Sequence, residues 1–303
     1  MPTVPATVLV DEDAQLALWM LFELHYRGFD DAQGDREWDP ELIRLRGELE
    51  ARMEEELREA TRDMLADLPG DDVVEDLCAL IDADDSPSLA AYLHRHATQD
   101  QVLEFLRERS IYALKEADAH SFVLGRLDGP VKAALAEVQY DEYGSGRPER
   151  LHSTMYADAL EACGLDSTYG AYLGQVSAET LAVNNLHSLF ALRRRLRGAA
   201  MGHFATFEAT SSLPCRKIAG GIQRVGLPEQ TAAYFDEHIE ADAVHEQVAL
   251  RDVCGGLVRQ HPELRDDVMF GSAACLYLDG VAATRVLERW GALTAPAQER
   301  QAS

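Results

Sequence analysis

Apolar residues recur at three- and four-residue intervals over most of the chain, and strand-like alternation is scarce, so the pattern predicts an all-α protein. Leu16, Leu18, Trp19, Leu21 and Phe22 mark one face of a helix from Ala14 to His25, after a short tail of residues 1–10. Asp39-Pro40-Glu41 offers a cap and a first-turn proline to a long charged helix that reaches Leu68 and stops at Pro69-Gly70. Shorter helices are expected over 72–82 and 86–97. Beyond Ala97-Thr98-Gln99-Asp100 come helices over 99–116, from Pro130 to Glu142, from Pro148 onward with His152 on its second turn, and from Ala178 to Ser212, ending before Pro214. A fifth opens at Gly226-Leu227-Pro228-Glu229 and closes at Gly255-Gly256, and a sixth runs from Pro262 to Trp290. The organisation read from this is a helical extension over 1–97, a core domain over 98–292 and a tail over 293–303.

The fifth helix carries the most specific signal. At 100° per residue, His238, Asp242 and His245 fall within roughly a 60° arc of one face. Ala241, Val248 and Ala249 lie on or beside that arc, and Asp236, Glu240 and Gln247 lie nearly opposite, so the three ligand-type residues belong to the buried side. Burying a carboxylate and two imidazoles without partners is costly, and a divalent metal satisfies all three together.

Composition narrows the choices. The 303 residues carry a net charge of −25, which argues against a nucleic-acid groove. The basic run Arg193, Arg194, Arg195 and Arg197 is isolated and is expected to face an anionic substrate or, in preference, carboxylates of a neighbouring helix, while the acidic run from Glu50 to Glu59 reads as a solvated helix face. No apolar run approaches the roughly 18 residues of a membrane span, and the N-terminus has no basic start with an apolar core, so a cytoplasmic protein without membrane contact is expected. Cys78, Cys163, Cys215, Cys254 and Cys275 are scattered and form no Cys-x-x-Cys pair, so thiolate zinc sites, iron–sulfur clusters and disulfide scaffolds are not expected.

Other helices supply further ligand types: Glu142 against the glycine-rich break, His152 on the next helix, and Glu208 within the apolar stretch Phe204 to Ala209. With His238, Asp242 and His245 these make three carboxylates and three imidazoles, the number a pair of metals needs. An oxygen-rich set without thiolate suits iron better than zinc, with manganese as the alternative. A rival grouping pairs Glu149-x-x-His152 with Asp242-x-x-His245 in the manner of a ferritin-like bundle, leaving His238 over. Proline at 148 puts Glu149 in a first helical turn, where the helix dipole favours a glutamate without any metal, so Glu142 is preferred. His25, His94, His96, His187, His203 and His261 have no partners at metal-ligand spacing, and His120 is only weakly marked through Glu116.

The order Glu142-x9-His152, Glu208, His238-x3-Asp242-x2-His245 resembles the haem-oxygenase-like di-iron oxidases and oxygenases, the iron-containing redox enzymes. The local text Asp141-Glu142-Tyr143-Gly144-Ser145-Gly146-Arg147 and Phe207-Glu208-Ala209-Thr210-Ser211-Ser212 is similar to that family as well, over about residues 100–290. Lys115-Glu116-Ala117-Asp118 resembles the segment that gives some members a further carboxylate, which makes Glu116 an additional candidate. The resemblance implies a haem-oxygenase-like helical bundle, two irons per chain, O2 as co-substrate, an external electron donor and a homodimer. It also implies oxidation of a small organic molecule in biosynthesis: N-oxygenation of an amine first, oxidative carbon–carbon cleavage or desaturation next. A ferritin-like iron-binding protein without turnover is the reading from another class.

Overall fold

Six helices begin where a side chain can accept from the otherwise unsatisfied amides of the first turn: Asp11, Asp39, Asp72, Ser88, Thr98 and Ser177 all do so. The computed structural model describes residues 7–66 and 68–293, without the side chains of residues 240–244. In chain order the helices are α1 (Glu12–Glu23), α2 (Pro40–Ala60), α3 (Val73–Asp82), α4 (Leu89–Arg95), α5 (Gln99–Ala113), α6 (Asp118–Leu124) and α7 (Gly129–Glu142). They continue as α8 (His152–Ala162), α9 (Ala178–Leu192), α10 (Arg197–Arg224) and α11 (Glu229–Gln247). A π-helical segment, Val248–Gly255, leads into α12 (Gly256–Gln260), and α13 (Arg265–Arg289) follows. Among the described residues there is no strand, in agreement with the all-α expectation.

Of the three apolar clusters among the described residues, the two largest share one helix. The larger is built from α1, α2, α3, α6, α7, α9, the π-helical segment, α13 and the first half of α10, including Phe204 and Ala205. The smaller is built from α4, α5, α8, α11 and the second half of α10, including Cys215, Ile218 and Ile222. Glu208 therefore sits where α10 passes from one core to the other, which is why a carboxylate can be buried there without displacing packed apolar groups.

Several helix ends differ from the sequence expectation, each for a tertiary reason. The stretch from Ala178 does not run on to Ser212: it breaks at Arg193, which is extended, because the Arg126 guanidinium donates to the terminal carbonyls of Ala191 and Leu192. Pro214, expected to end the helix, lies inside α10. A proline in a helix interior costs about 3 kcal/mol, and here the helix is held on both sides of it by α4, α11 and α13. Gly255-Gly256 does not stop the fifth helix, since both glycines keep helical angles and the chain stays helical to Gln260. The long charged helix ends at Ala60 instead of Leu68, and α8 begins at His152, after a short 3-10 turn over Pro148–Arg150. His152 thus opens α8 and does not lie on its second turn.

The acidic face of α2 is also not simply solvated. Glu50 and Glu54 are buried, Glu50 pairing with Arg46 at 3.1 Å and with Arg193, and Glu54 accepting from Arg195 at 2.9 Å. Residues 8 and 9 are not tail either, because Val8 and Leu9 are buried and their amides donate to Glu56.

The tightest constraint on α10 is its crossing with α13. A Cβ on Gly202 would lie 1.8 Å from the Val268 carbonyl oxygen, and one on Gly271 would lie 1.9 Å from that of Ala199, so the backbones touch where each helix offers a glycine. Neither obstacle can rotate away. Gly202→Ala and Gly271→Ala are each expected to destabilise the fold by about 3 kcal/mol or more, beyond ordinary overpacking, which a denaturant melt of each variant measures. A midpoint within experimental error of the unsubstituted protein would refute the close crossing.

Candidate metal centre

Glu142 is the last residue of α7, and the chain must then reverse so that α8 can return over it. Gly144 and Gly146 take φ +68° and +78°, and a Cβ on Gly144 would stand 2.6 Å from the backbone of Arg150 and Leu151. This backbone-on-backbone turn brings His152 back onto Glu142, Nδ1 to Oε2 at 2.9 Å.

Glu116 lies in the turn between α5 and α6 and is buried. Its carboxylate accepts from the Tyr234 hydroxyl at 2.6 Å and faces His238 Nε2 at 3.4 Å. His238 Nδ1 is 2.6 Å from the Tyr234 carbonyl one helical turn back, a bond that fixes the ring and turns Nε2 toward the centre. Two turns further along α11, His245 places Nδ1 3.5 Å from Glu208 on α10 and Nε2 3.4 Å from Asp141.

The result is two adjoining groups. One ligand atom each from Glu116, Glu142, His152 and His238 lie within 4.8 Å of one another, and so do atoms of Glu142, Glu208 and His245. All six residues are buried, and Glu142 belongs to both groups. The structure thus brings together Glu142, His152, Glu208, His238 and His245, and adds Glu116. The side chain of Asp242 lies outside the described residues. Glu149 is exposed in the 3-10 turn and joins neither group. Asp141 and Tyr234 escaped the sequence reading: Asp141 is half exposed, and Tyr234 has the spacing of an ordinary core residue.

Burial and charge oppose each other throughout the site. Burial alone would raise the Glu116 carboxyl, but His238, His152 and Arg109 hold it down at about 2. Burial would lower His245, yet Glu208, Glu142 and Asp141 raise it to about 9. His152 is likewise raised, by Glu142 against its burial, and Glu208 is raised by burial and by the nearby Glu142. Three carboxylates so close together require cations between them. Glu142 Oε2 and His152 Nδ1 face each other but lack hydrogen-bond geometry, and neither has another hydrogen-bond partner among the described residues. A donor set of carboxylate oxygens and imidazole nitrogens with orphaned buried atoms at its middle fits metal ions of the iron or manganese type.

A buried carboxylate–histidine centre inside an all-α bundle defines a class, the helical-bundle metalloproteins. Within it the chain belongs to the iron-containing redox enzymes, whose haem-oxygenase-like family profile matches residues 103–280. A stretch of 135 residues is 30% identical to a nitrosourea synthase of Streptomyces achromogenes subsp. streptozoticus, covering 44% of this chain and 28% of that protein. This chain therefore spans under a third of the length of the curated relative it matches. Two crystal structures of a CADD-like protein of unknown function from Nostoc punctiforme share the fold. Their TM-scores are 0.57 and 0.56 at 18% and 16% identity, over 72% and 74% of this chain and 96% and 97% of theirs.

The shared position of Glu142 generates a test by substitution. Glu142→Ala is expected to weaken metal binding at both ligand groups, His238→Ala and Glu116→Ala chiefly at their own group, and Glu149→Ala at neither. Metal analysis after saturating iron loading reads the result, and unchanged iron in Glu142→Ala would reject the arrangement.

A second prediction concerns pH. The folded-state value of His245, about 9, lies above its ordinary 6.5, so its ion pairs stabilise the metal-free fold fully below pH 6.5 and are lost as pH rises through 9. Metal binding at pH 7 must displace that proton, so apparent affinity should rise between pH 7 and 9 and protons should be released. Calorimetric titration of iron(II) in two buffers of different ionisation heat measures the release, and identical heats would contradict it.

Proposed function

We propose that the protein is a non-haem di-iron enzyme that uses O2 to oxidise a small organic amine on nitrogen, with manganese as the alternative metal. The observation that carries this is the single buried carboxylate, Glu142, common to two adjoining ligand groups: these groups would hold a pair of ions, which would supply two-electron chemistry with O2. Iron, when bound there, supplies the reducing power that activates O2. The likeness to a nitrosourea synthase supports nitrogen as the atom oxidised. In balance, the amine R–NH2, O2, two electrons from an external donor and two protons give the hydroxylamine R–NHOH and water.

The chain's own contribution is a cavity of about 340 Å³ lined by Phe105, Arg109, Tyr112, Phe207, Ser211 and Asp279. Tyr112, Phe207 and Ser211 also line the small recess formed by Glu116, Glu142, Glu208 and His238, so the cavity adjoins the ligand groups across these side chains. Aromatic walls exclude water from the reacting atoms. Arg109 stacks on Tyr112, its guanidinium carbon 5.4 Å from the ring centroid, and its buried Nε has no hydrogen-bond partner among the described residues, so it can hold an anionic group. Asp279 on α13 is pushed up to about 6 by burial, which Arg109 partly offsets, so its carboxylate is available at pH 7 to hold an ammonium. A small molecule carrying both an amine and an acid group matches this pair.

The test is O2 uptake by the iron-loaded, reduced protein with candidate amines, together with mass analysis of products formed under 18O2. The expected result is uptake accelerated by the right amine, with one labelled oxygen on nitrogen. Arg109→Gln and Asp279→Asn should raise KM on the order of tenfold each, the loss of one charged contact. Labelled cleavage products, or unlabelled desaturated products, would move the reaction to those chemistries. O2 uptake that only oxidises iron, with every amine unchanged, would leave an iron-binding protein without turnover.

A further inference from the structure

Beside the carboxylate-rich centre lies a cluster of different chemistry. His120 on α6, His187 on α9 and His203 on α10 are all buried, and one ring nitrogen of each lies within 4.8 Å of the others. The Nε2 atoms of His120 and His187 are 2.9 Å apart, and the rings of His187 and His203 have centroids 4.3 Å apart. No carboxylate belongs to the group, whose walls are aromatic. Tyr112 stacks on His187 at 5.5 Å, Phe204 meets His120 edge-on at 4.8 Å, and Phe190 and Phe207 flank His203.

An imidazole nitrogen buried without a partner costs about 1–3 kcal/mol, and His203 Nδ1 has no hydrogen-bond partner among the described residues. His120 and His187 share a hydrogen bond through their Nε2 atoms, which leaves His203 Nδ1 as the buried nitrogen of the group that a further ligand partner would satisfy. Burial keeps all three rings neutral at pH 7, with His120 at about 4, His203 at about 3 and His187 well below its ordinary value, so each retains a lone pair to donate. Nitrogens bound to a common ion at about 2.0 Å would stand about 3.3 Å apart, between the 2.9 Å and the 4.8 Å limit found here. Small ring rotations complete the arrangement.

We propose that His120, His187 and His203 form a second metal site, separate from the Glu142 centre, that takes copper(I). Imidazole donors suit zinc and copper alike, and the surroundings decide between them. Among the described residues no carboxylate joins the three nitrogens, and the nearest charges offset one another, Glu116 acting on His120 and Lys115, itself paired with Glu23, acting on His187; a divalent ion would bury two charges without an anionic ligand, whereas a cuprous ion buries one. Bound copper(I) ties α6, α9 and α10 together next to the cavity wall at Tyr112.

The experiment is anaerobic titration of the full-length protein with copper(I) against bicinchoninate, comparing the unsubstituted protein with His203→Phe and His187→Asn. Cysteines also bind copper(I), so the readout is the difference. The unsubstituted protein should hold one more equivalent than either variant, at least tenfold more tightly, and copper should raise the Tm of the unsubstituted protein only. Iron content should be the same in all three. Equal copper in the unsubstituted protein and His203→Phe would overturn the site, and retention of zinc but not copper(I) would overturn the choice of metal. Should both variants fail to fold by circular dichroism, X-ray absorption of the copper-loaded unsubstituted protein decides: nitrogen neighbours alone support the site, and sulfur neighbours reject it.

Discussion

The buried carboxylate of Glu142 imposes the condition on which the functional half of the molecule depends. It sits within reach of Glu116 on one side and Glu208 on the other, so three acids share a region from which water is largely excluded. Such a region holds together only if positive charge is placed among the acids, and the chain places His152, His238 and His245 there. Protons on these rings can neutralise the acids, as the raised His152 and His245 show, but metal ions do so more completely and also satisfy the atoms left without hydrogen bonds. The same condition explains the second layer. Tyr234 supports both Glu116 through its hydroxyl and His238 through its carbonyl, and Asp141 supports His245.

Placing these groups requires one helix to serve two cores. The α10 helix is locked against α13 by the paired glycines Gly202 and Gly271, and near its other end Gly221 lies close against the Leu93 carbonyl of α4. Glu208 stands between the two contacts. The proline at 214 is tolerated because these contacts hold the helix on either side of it, and the hydroxyls of Thr210 and Ser211 bond to the Thr206 and Phe207 carbonyls just before it. The N-terminal helices contribute to the same frame: α1 packs on α9, and Glu50 and Glu54 of α2 receive Arg193 and Arg195 from the segment that joins α9 to α10.

Next to the charged centre lies a cavity of mixed character. Its aromatic residues adjoin the ligands, while Arg109 and Asp279 stand as opposite charges on α5 and α13. In the proposed reaction these walls would do the selecting, and the fold positions Arg109 and Asp279 on helices that carry none of the three histidines of the centre. The three-histidine cluster adjoins the same region from another side, with His120 lining the recess and His187 stacked on Tyr112.

The all-α class, most helix starts and the principal ligand types were legible in the residues, because apolar periodicity, capping side chains and the spacing of His238 and His245 are local properties of the chain. The likeness of Glu142, His152 and Glu208 to an ordered family pattern extended that reading across separate helices, since order along the chain survives where contact cannot be read. What the sequence could not decide was anything set by distant backbone. The break at Arg193 depends on Arg126, the passage of α10 through Pro214 depends on its neighbours, and the burial of Glu50 and Glu54 depends on arginines some 140 residues away. Glu116 could be named only as a candidate, and the tertiary fold brought it beside His238. His120, His187 and His203 show no motif at all, separated as they are by 67 and then 16 positions. Only the packing of α6, α9 and α10 turns them into one site, because ligand geometry is fixed by where helices cross and not by how far apart their residues lie along the chain.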